Sequence, residues 1–348
     1  MRERIAPYMK FAPTIALMFG FVFDIFTLNR PDAAFENIVI VGYLLISATV
    51  IILLQTSGTE KRTLILMTIL QFSFGNLASA LMILYALSGT LAGSAIFVGI
   101  LGGLFLGNEL FKDRYARTTL QIAIWFFLVL TYSTLIVPVI VGSLGIVIFG
   151  ISVVMALFVV ALLIQILSLA TRVPFAEHAK TLRVLLLSIA GIFSLLYFLN
   201  FIPPVPLATK HMGIYHNVTR LGDSYVLEYE QPVWFKFWRD YNKTVNVVVG
   251  EPVYCFSAIF APGNLKAEIY HSWDKYDAQK KRWTTVARIP FPILGGRLSG
   301  YRGYTQTSQL EKGSWRCRAE TKRGAALGQT AFRVREVGSK IDTKILKF

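Results

Sequence analysis

The chain changes its hydrophobic rhythm once. Up to about residue 202 apolar positions come in long unbroken runs; beyond it they alternate with polar ones. Seven runs fall near Phe11 to Leu28, Asn37 to Gln55, Leu64 to Ala86, Thr90 to Asn108, Thr118 to Ile140, Leu144 to Ala170 and Leu182 to Phe201. Each approaches or exceeds the roughly 20 helical residues that cross a hydrocarbon core. After them, period-2 alternation marks Ser224 to Glu230, Thr244 to Val249, Pro252 to Phe260, Leu265 to Trp273, Arg282 to Pro292, Tyr301 to Ser308, Ser314 to Thr321 and Gly328 to Val334. Turn signals such as Ala261-Pro262-Gly263-Asn264 and Lys312-Gly313 separate these segments. The pattern predicts an all-α transmembrane bundle of seven helices followed by an all-β antiparallel sandwich.

Phe201-Ile202-Pro203-Pro204-Val205-Pro206 removes backbone donors and restricts φ, so it ends the seventh helix. The expected division is a membrane domain over 1–202, a Pro-rich stalk with an aromatic interfacial segment over 203–244, and a β-sandwich with a basic C-terminal tail over 245–348. Within the middle stretch, helical spacing would put Trp234, Trp238 and Tyr241 on one stripe, suited to the headgroup layer or to docking on the sandwich.

Charge orients the bundle. Arg2, Arg4 and Lys10 precede the first run; Lys61 and Arg62, then Lys112, Arg114 and Arg117, then Arg172, Lys180 and Arg183 fill every second connection. The alternate connections hold only Arg30. Such asymmetry predicts a cytoplasmic N-terminus, and seven crossings then place the C-terminus on the far side. The basic head and first run resemble a signal peptide, but the embedded Asp24 and the lack of a small-x-small site favour a retained helix. The formal net charge is +15, and most of the excess lies beyond Pro203, in a domain long enough to escape the positive-inside rule. A basic domain facing away from the cytoplasm argues against a nucleic-acid partner.

Both cysteines, Cys255 and Cys317, lie in the tail. In an oxidising compartment they are candidates for one disulfide; the alternative is two reduced core cysteines. Period 2 puts Trp315, Cys317 and Ala319 on one face of their strand and Arg316, Arg318 and Glu320 on the other.

His271-Ser272-Trp273, Gly295-Gly296-Arg297, Gly300-Tyr301-Arg302-Gly303-Tyr304-Thr305, Gly313-Ser314-Trp315 and Phe332-Arg333-Val334 resemble the spaced motifs of the bacterial domain of unknown function 2914. The helical part is similar to multi-helix proteins ending in that module, through Gly20 to Asp32, Ser73 to Leu77 and Gly107-Asn108-Glu109. Similar modules tend to carry an aliphatic residue where this chain has Cys317. The resemblance implies a bacterial envelope membrane protein and supplies no reaction; joined to the topology read from the charges, the expected location is the inner membrane, multi-pass, with the C-terminal domain periplasmic or extracellular.

Candidate chemistry falls into two groups. In the membrane, Asp24 with Arg30 is either a proton or ion site or a structural pair. Asn76 is either functional or an interhelical hydrogen-bonding group, and Asn108 with Glu109 sits in a charge cluster near Lys112. In the tail, His271, Arg297, Tyr301, Arg302 and Tyr304 combine aromatic faces with guanidinium forks, while Trp273 and Trp315 read as core. No HExxH, Walker loop, Gly-x-Ser-x-Gly elbow or Rossmann fingerprint is present, so no catalytic residue, metal or cofactor is expected. The expected function is non-enzymatic binding of an anionic glycan, a membrane lipid headgroup or an envelope protein. The rival is a membrane enzyme or transporter using the bundle's polar groups.

Overall fold

The structure, a computed structural model, describes residues 21–22, 30–56, 59–110, 118–170, 176–230, 244–263, 265–294, 300–338 and 341–348. It divides into two compact units, the first of Met1–Leu87 and Ser94–Pro206, the second of Leu207–Phe348 together with Ser88–Gly93.

The first unit holds, among the described residues, six helices: α1 (Ala34–Gln55), α2 (Glu60–Leu87), α3 (Leu91–Leu110), α4 (Thr118–Val141), α5 (Ile146–Ala170) and α6 (Ala176–Phe198). Five are long and apolar enough to cross a membrane; in α3 the apolar stretch is the shorter Gly93–Leu104. The count therefore differs from the expected seven. The first expected run lies outside the described residues except for Phe21 and Val22, which are helical.

These helices hold together by polar anchors inside an apolar pack. Trp125 Nε1 on α4 donates to the Leu44 carbonyl on α1 at 3.0 Å, and Tyr132 Oη donates to Asn37 Oδ1 at 2.9 Å. Tyr85 on α2 donates to the Thr131 carbonyl at 2.8 Å and lies 2.6 Å from Thr134 Oγ1. Around them Phe97, Phe127, Phe149, Phe193 and Tyr197 form one aromatic cluster. Ser47, Thr68, Ser73 and Ser152 bond carbonyls of their own helices, which satisfies hydroxyls where water is scarce. Large apolar side chains face outward, Val147, Val154, Phe158 and Leu169 among them on α5. Such a surface suits hydrocarbon better than water.

The second unit is β-rich, with β1 (Ala208–Tyr215), β2 (Asn217–Leu221), β3 (Ser224–Tyr229), β4 (Thr244–Val247), β5 (Val253–Phe260), β6 (Lys266–Asp277), β7 (Arg282–Leu294), β8 (Tyr301–Thr307), β9 (Gly313–Thr321), β10 (Ala326–Glu336) and β11 (Lys344–Lys347). They make a five-stranded sheet, β4-β10-β9-β6-β7, and two three-stranded sheets, β1-β5-β8 and β11-β3-β2. Strand β7 lies on an edge and carries Pro290 and Pro292, residues that sheets tolerate at edges.

Two expectations are corrected here. Pairing is not antiparallel throughout, because β4 runs parallel to β10. The stretch assigned to a stalk supplies β1 and β2 beside the expected strand at β3: β1 pairs with β5 and its last four residues are buried. The basic tail likewise ends in β11, paired with β3.

The core of this unit lies between β1-β5-β8 and the five-stranded sheet. A disulfide joins Cys255 on β5 to Cys317 on β9, with Cα atoms 6.5 Å apart. Trp273, Trp315 and Ile259 are fully or almost fully buried on the disulfide's side of their strands, each contributing about 1.5–3 kcal/mol of apolar transfer, while Phe256 packs on the opposite face of β5 with Tyr215 and Tyr225. Two glycines permit the close approach. Gly300 has φ +87°, and a Cβ there would lie 3.0 Å from the Ile259 backbone; at Gly303 a Cβ would lie 2.5 Å from the Phe291 ring.

Candidate anion-binding face

Strand alternation and register decide which side chains of the five-stranded sheet point away from the disulfide. On β6 these are Tyr270, Ser272, Asp274 and Tyr276; opposite them stand Trp283, Thr285 and Arg288 of β7, and Arg316, Arg318 and Glu320 of β9. The row continues to Gln329, Arg333 and Arg335 on β10. A register shift at Trp273/Asp274 separates β6 from β7 pairing by one residue, which keeps Asp274 beside Thr285.

Asp274 is the anchor of this row. Its side chain is 1% exposed, and it accepts from Thr285 Oγ1 at 2.7 Å, Arg316 Nε at 2.7 Å and Arg318 Nε at 2.8 Å. Burial pushes its carboxyl up, but the hydrogen bonds from Thr285, Arg316 and Arg318 together outweigh burial and hold it below the usual carboxylate range. Glu320 is the second anchor, accepting from Ser272 Oγ at 2.8 Å and Arg288 Nε at 2.9 Å, with Arg318 Nη1 3.2 Å from its other oxygen. Arg288 also donates to the carbonyls of Thr321 and Lys322. These bonds fix the guanidinium planes against aromatic rings: Arg288 lies 4.2 Å over Tyr270 and Arg316 4.6 Å over Trp283, whose edge meets Tyr276 at 5.3 Å.

The result is a flat, rigid strip of rings and forks. Asp274 and Glu320 offset only part of its positive charge. Arg333 and Arg335 are exposed, and among the described residues neither meets a carboxylate. Guanidinium forks of this kind pair bidentately with carboxylate, sulfate or phosphate, and flanking rings offer apolar faces.

The residues singled out from the sequence fall elsewhere. His271 is in the core: Nε2 lies 2.8 Å from Ser257 Oγ, Nδ1 lies 3.1 Å from Thr305 Oγ1, and Phe291 packs on the ring at 4.3 Å. Burial lowers its pKa to about 3, so the ring is neutral and unavailable to a surface ligand. Arg302 holds the chain's own backbone, donating from Nη1 to the Asp223 carbonyl at 2.7 Å and to Phe348 O at 3.3 Å while lying 5.0 Å over the Phe348 ring. Tyr304 is exposed beside Tyr225 and Tyr254, and Tyr301 is half-buried on the same strand. Arg297 lies outside the described residues. Trp273 and Trp315 are in the core.

In the helical unit, Arg30 makes two bonds to Asp32, at 3.1 and 3.0 Å, and Asp24 lies outside the described residues. Asn76 Nδ2 donates to the Phe72 carbonyl of its own helix at 2.8 Å, a local bond where an interhelical one was expected. Asn108 and Glu109 are in the last turn of α3, and their side chains lie outside the description, as do residues 232–241.

What sequence reasoning missed is the anchor, Asp274, together with the rings at Tyr270 and Trp283. The signal for half of it was present, since alternation had already set Arg316, Arg318 and Glu320 opposite Cys317.

Residues 266–334 match the family described as Protein of unknown function (DUF2914). The DUF2914 segment thus runs from β6 into β10 and contains every residue of the strip except Arg335. No curated protein matches the chain. Among solved structures, a β-glucosidase from Listeria innocua in complex with isofagomine is 16% identical over 32% of this chain, with a TM-score of 0.20; the match covers 16% of the β-glucosidase's length. An immunoglobulin-like protein from Pseudomonas aeruginosa is 12% identical over 34% of this chain and 97% of its own, with a TM-score of 0.19. The alkylpurine DNA glycosylase AlkC of Pseudomonas fluorescens is 10% identical over 87% of this chain and 100% of its own, with a TM-score of 0.23.

Proposed function

We propose that this is a non-enzymatic membrane protein whose β-rich domain holds an anionic glycan on the outer face of its five-stranded sheet. The reading places seven helices in a bacterial inner membrane, the N-terminus in the cytoplasm and the β-sandwich outside. The charge asymmetry of the connections supports that topology, and the Cys255–Cys317 disulfide is compatible with an oxidising compartment.

The observation that carries the binding role is the exposed, uncompensated pair Arg333 and Arg335, continuing a row in which Arg288 and Arg316 are already held flat against rings. An extended polymer bearing regularly spaced carboxylates or phosphates complements such a linear array better than one headgroup does. Asn76, Tyr85, Trp125 and Tyr132 in the bundle bond neighbouring backbone or side chains, which favours anchoring over transport.

Binding of the full-length protein in nanodiscs to a polyuronate, to neutral dextran and to anionic vesicles tests the reading at low and high salt. The polyuronate alone should bind, with affinity falling as salt rises, and Arg333→Glu with Arg335→Glu should weaken it by about tenfold or more. Equal binding of dextran, preference for vesicles, or an unaffected double variant overturns it. A reporter fused after Phe348 that is active only outside the cytoplasm checks the topology separately.

A further inference from the structure

The core of the β-rich unit contains a second constellation that the outer face does not use. Cys255 Sγ, Cys317 Sγ and a ring nitrogen of His271 all lie within 4.8 Å of one another, and all three residues are buried. Three strands of two sheets converge to place them: β5 brings Cys255, β6 His271 and β9 Cys317. Ser257 and Thr305 hold the two ring nitrogens, and Trp273 Nε1 donates to the same Thr305 hydroxyl at 3.2 Å. The imidazole is therefore oriented from both sides, the support a metal-ligating histidine ordinarily receives from its neighbours.

We infer that Cys255, His271 and Cys317, once the disulfide is opened, form a binding site for one thiophilic divalent cation such as Zn²⁺. Opening requires a dithiol reductant: its two thiols pass two electrons and two protons to the S–S bond, becoming a disulfide and leaving two protein thiols. The cation then displaces both protons and binds two thiolates and the neutral imidazole. Two thiolate charges cancel the dication, so the filled site adds no net charge to a dry core, where an unbalanced ion would cost several kcal/mol.

Geometry permits it. Zinc bonds of about 2.3 Å to sulfur and about 2.0 Å to nitrogen place tetrahedral donors roughly 3.5 Å apart. The histidine is already within reach, and only the two sulfurs must separate, across a Cα distance of 6.5 Å. One hydroxyl contact to the ring gives way to the metal and the other remains to orient it. The other hydroxyls of the site, Ser257 and Thr305 beside the ring and Thr330 opposite Cys317, are oxygen donors for a fourth position. Disulfide and metal are mutually exclusive on the same two sulfurs, so metal occupancy would report the redox state of the domain.

The test uses the full-length protein in detergent, oxidised or treated with excess dithiol and then freed of it under anaerobic conditions. Co²⁺ serves as the spectroscopic probe and Zn²⁺ as competitor. Reduced protein should take up one equivalent of Co²⁺ with a thiolate-to-metal charge-transfer band that Zn²⁺ abolishes; oxidised protein should show none. His271→Gln should weaken uptake by at least about tenfold while leaving two titratable thiols. Should reduction loosen the domain, Zn²⁺ should restore its near-UV circular dichroism. A reduced protein with two thiols and no charge-transfer band, equal affinity in His271→Gln, or failure of Zn²⁺ to restore a loosened domain overturns the inference. The glycan assay, run on oxidised protein, is unaffected by either result.

Discussion

Lowering the pH should act on this protein through one buried ring. His271 has no exposed surface, and burial takes its pKa to about 3 from an ordinary value of 6.5. The folded state keeps the ring neutral while the unfolded chain takes up a proton below about pH 6.5. Because the unfolded state binds the extra proton, stability is complete above pH 6.5, declines as pH falls through that value, and stops declining only near pH 3. Between pH 7 and pH 4.5 the linkage amounts to about 2–3 kcal/mol. The β-rich unit has about 140 residues, giving an unfolding entropy of about 0.3 kcal/mol per kelvin and hence a loss of about 8 °C in Tm. His271→Gln removes the titration and retains an amide able to reach Ser257 or Thr305. Thermal unfolding of the full chain in detergent, followed by tryptophan fluorescence, reads this unit because five of the six tryptophans lie beyond Pro206. The wild type should lose about 8 °C more than the variant over that pH interval. Parallel pH profiles for the two proteins would refute the reasoning.

Asp274→Asn keeps the shape but leaves Arg316 and Arg318 without their carboxylate; since both arginines are about one-fifth exposed, a loss of about 2–4 kcal/mol is expected in unfolding experiments. Its depressed pKa means that this contribution stands above about pH 4 and disappears as pH falls through the folded value, so wild type and variant should converge in strong acid. Gly303→Ala drives a methyl to 2.5 Å from the Phe291 ring and should cost about 1–3 kcal/mol, relieved by a second change, Phe291→Leu. Replacing both cysteines by serine opens a loop of 62 residues and should lower stability by about 4 kcal/mol on the chain-entropy account, measured as a drop in the denaturation midpoint.

The parts legible in the sequence are those decided locally. Runs such as Ile146–Ala170 announce a helix because no other element satisfies so many backbone groups in an apolar surrounding. Strands β9 and β10 were readable because one of their faces is wetter than the other, which imposes alternation. Strand β1 was not, because its register is interrupted between Thr209 and His211 and its second half is buried throughout. The four residues of β11 are too short and too charged to signal a strand, and its pairing to β3 spans more than a hundred residues. The same limit hid the strip. Asp274 gains its partners only when β7 and β9 flank β6, whereas Tyr301, Arg302 and Tyr304 stood out by residue type alone, and neither the close approach of Gly300 and Gly303 to β5 and Phe291 nor the bond from Arg302 to a distant carbonyl is visible without the fold.

Pro290 and Pro292 on the outer strand of the five-stranded sheet have a further consequence for a molecule crowded among its own copies. A second chain laid along that half of β7 would find two positions with no N–H to offer. Growth of one sheet into the next is thereby disfavoured along that half of β7.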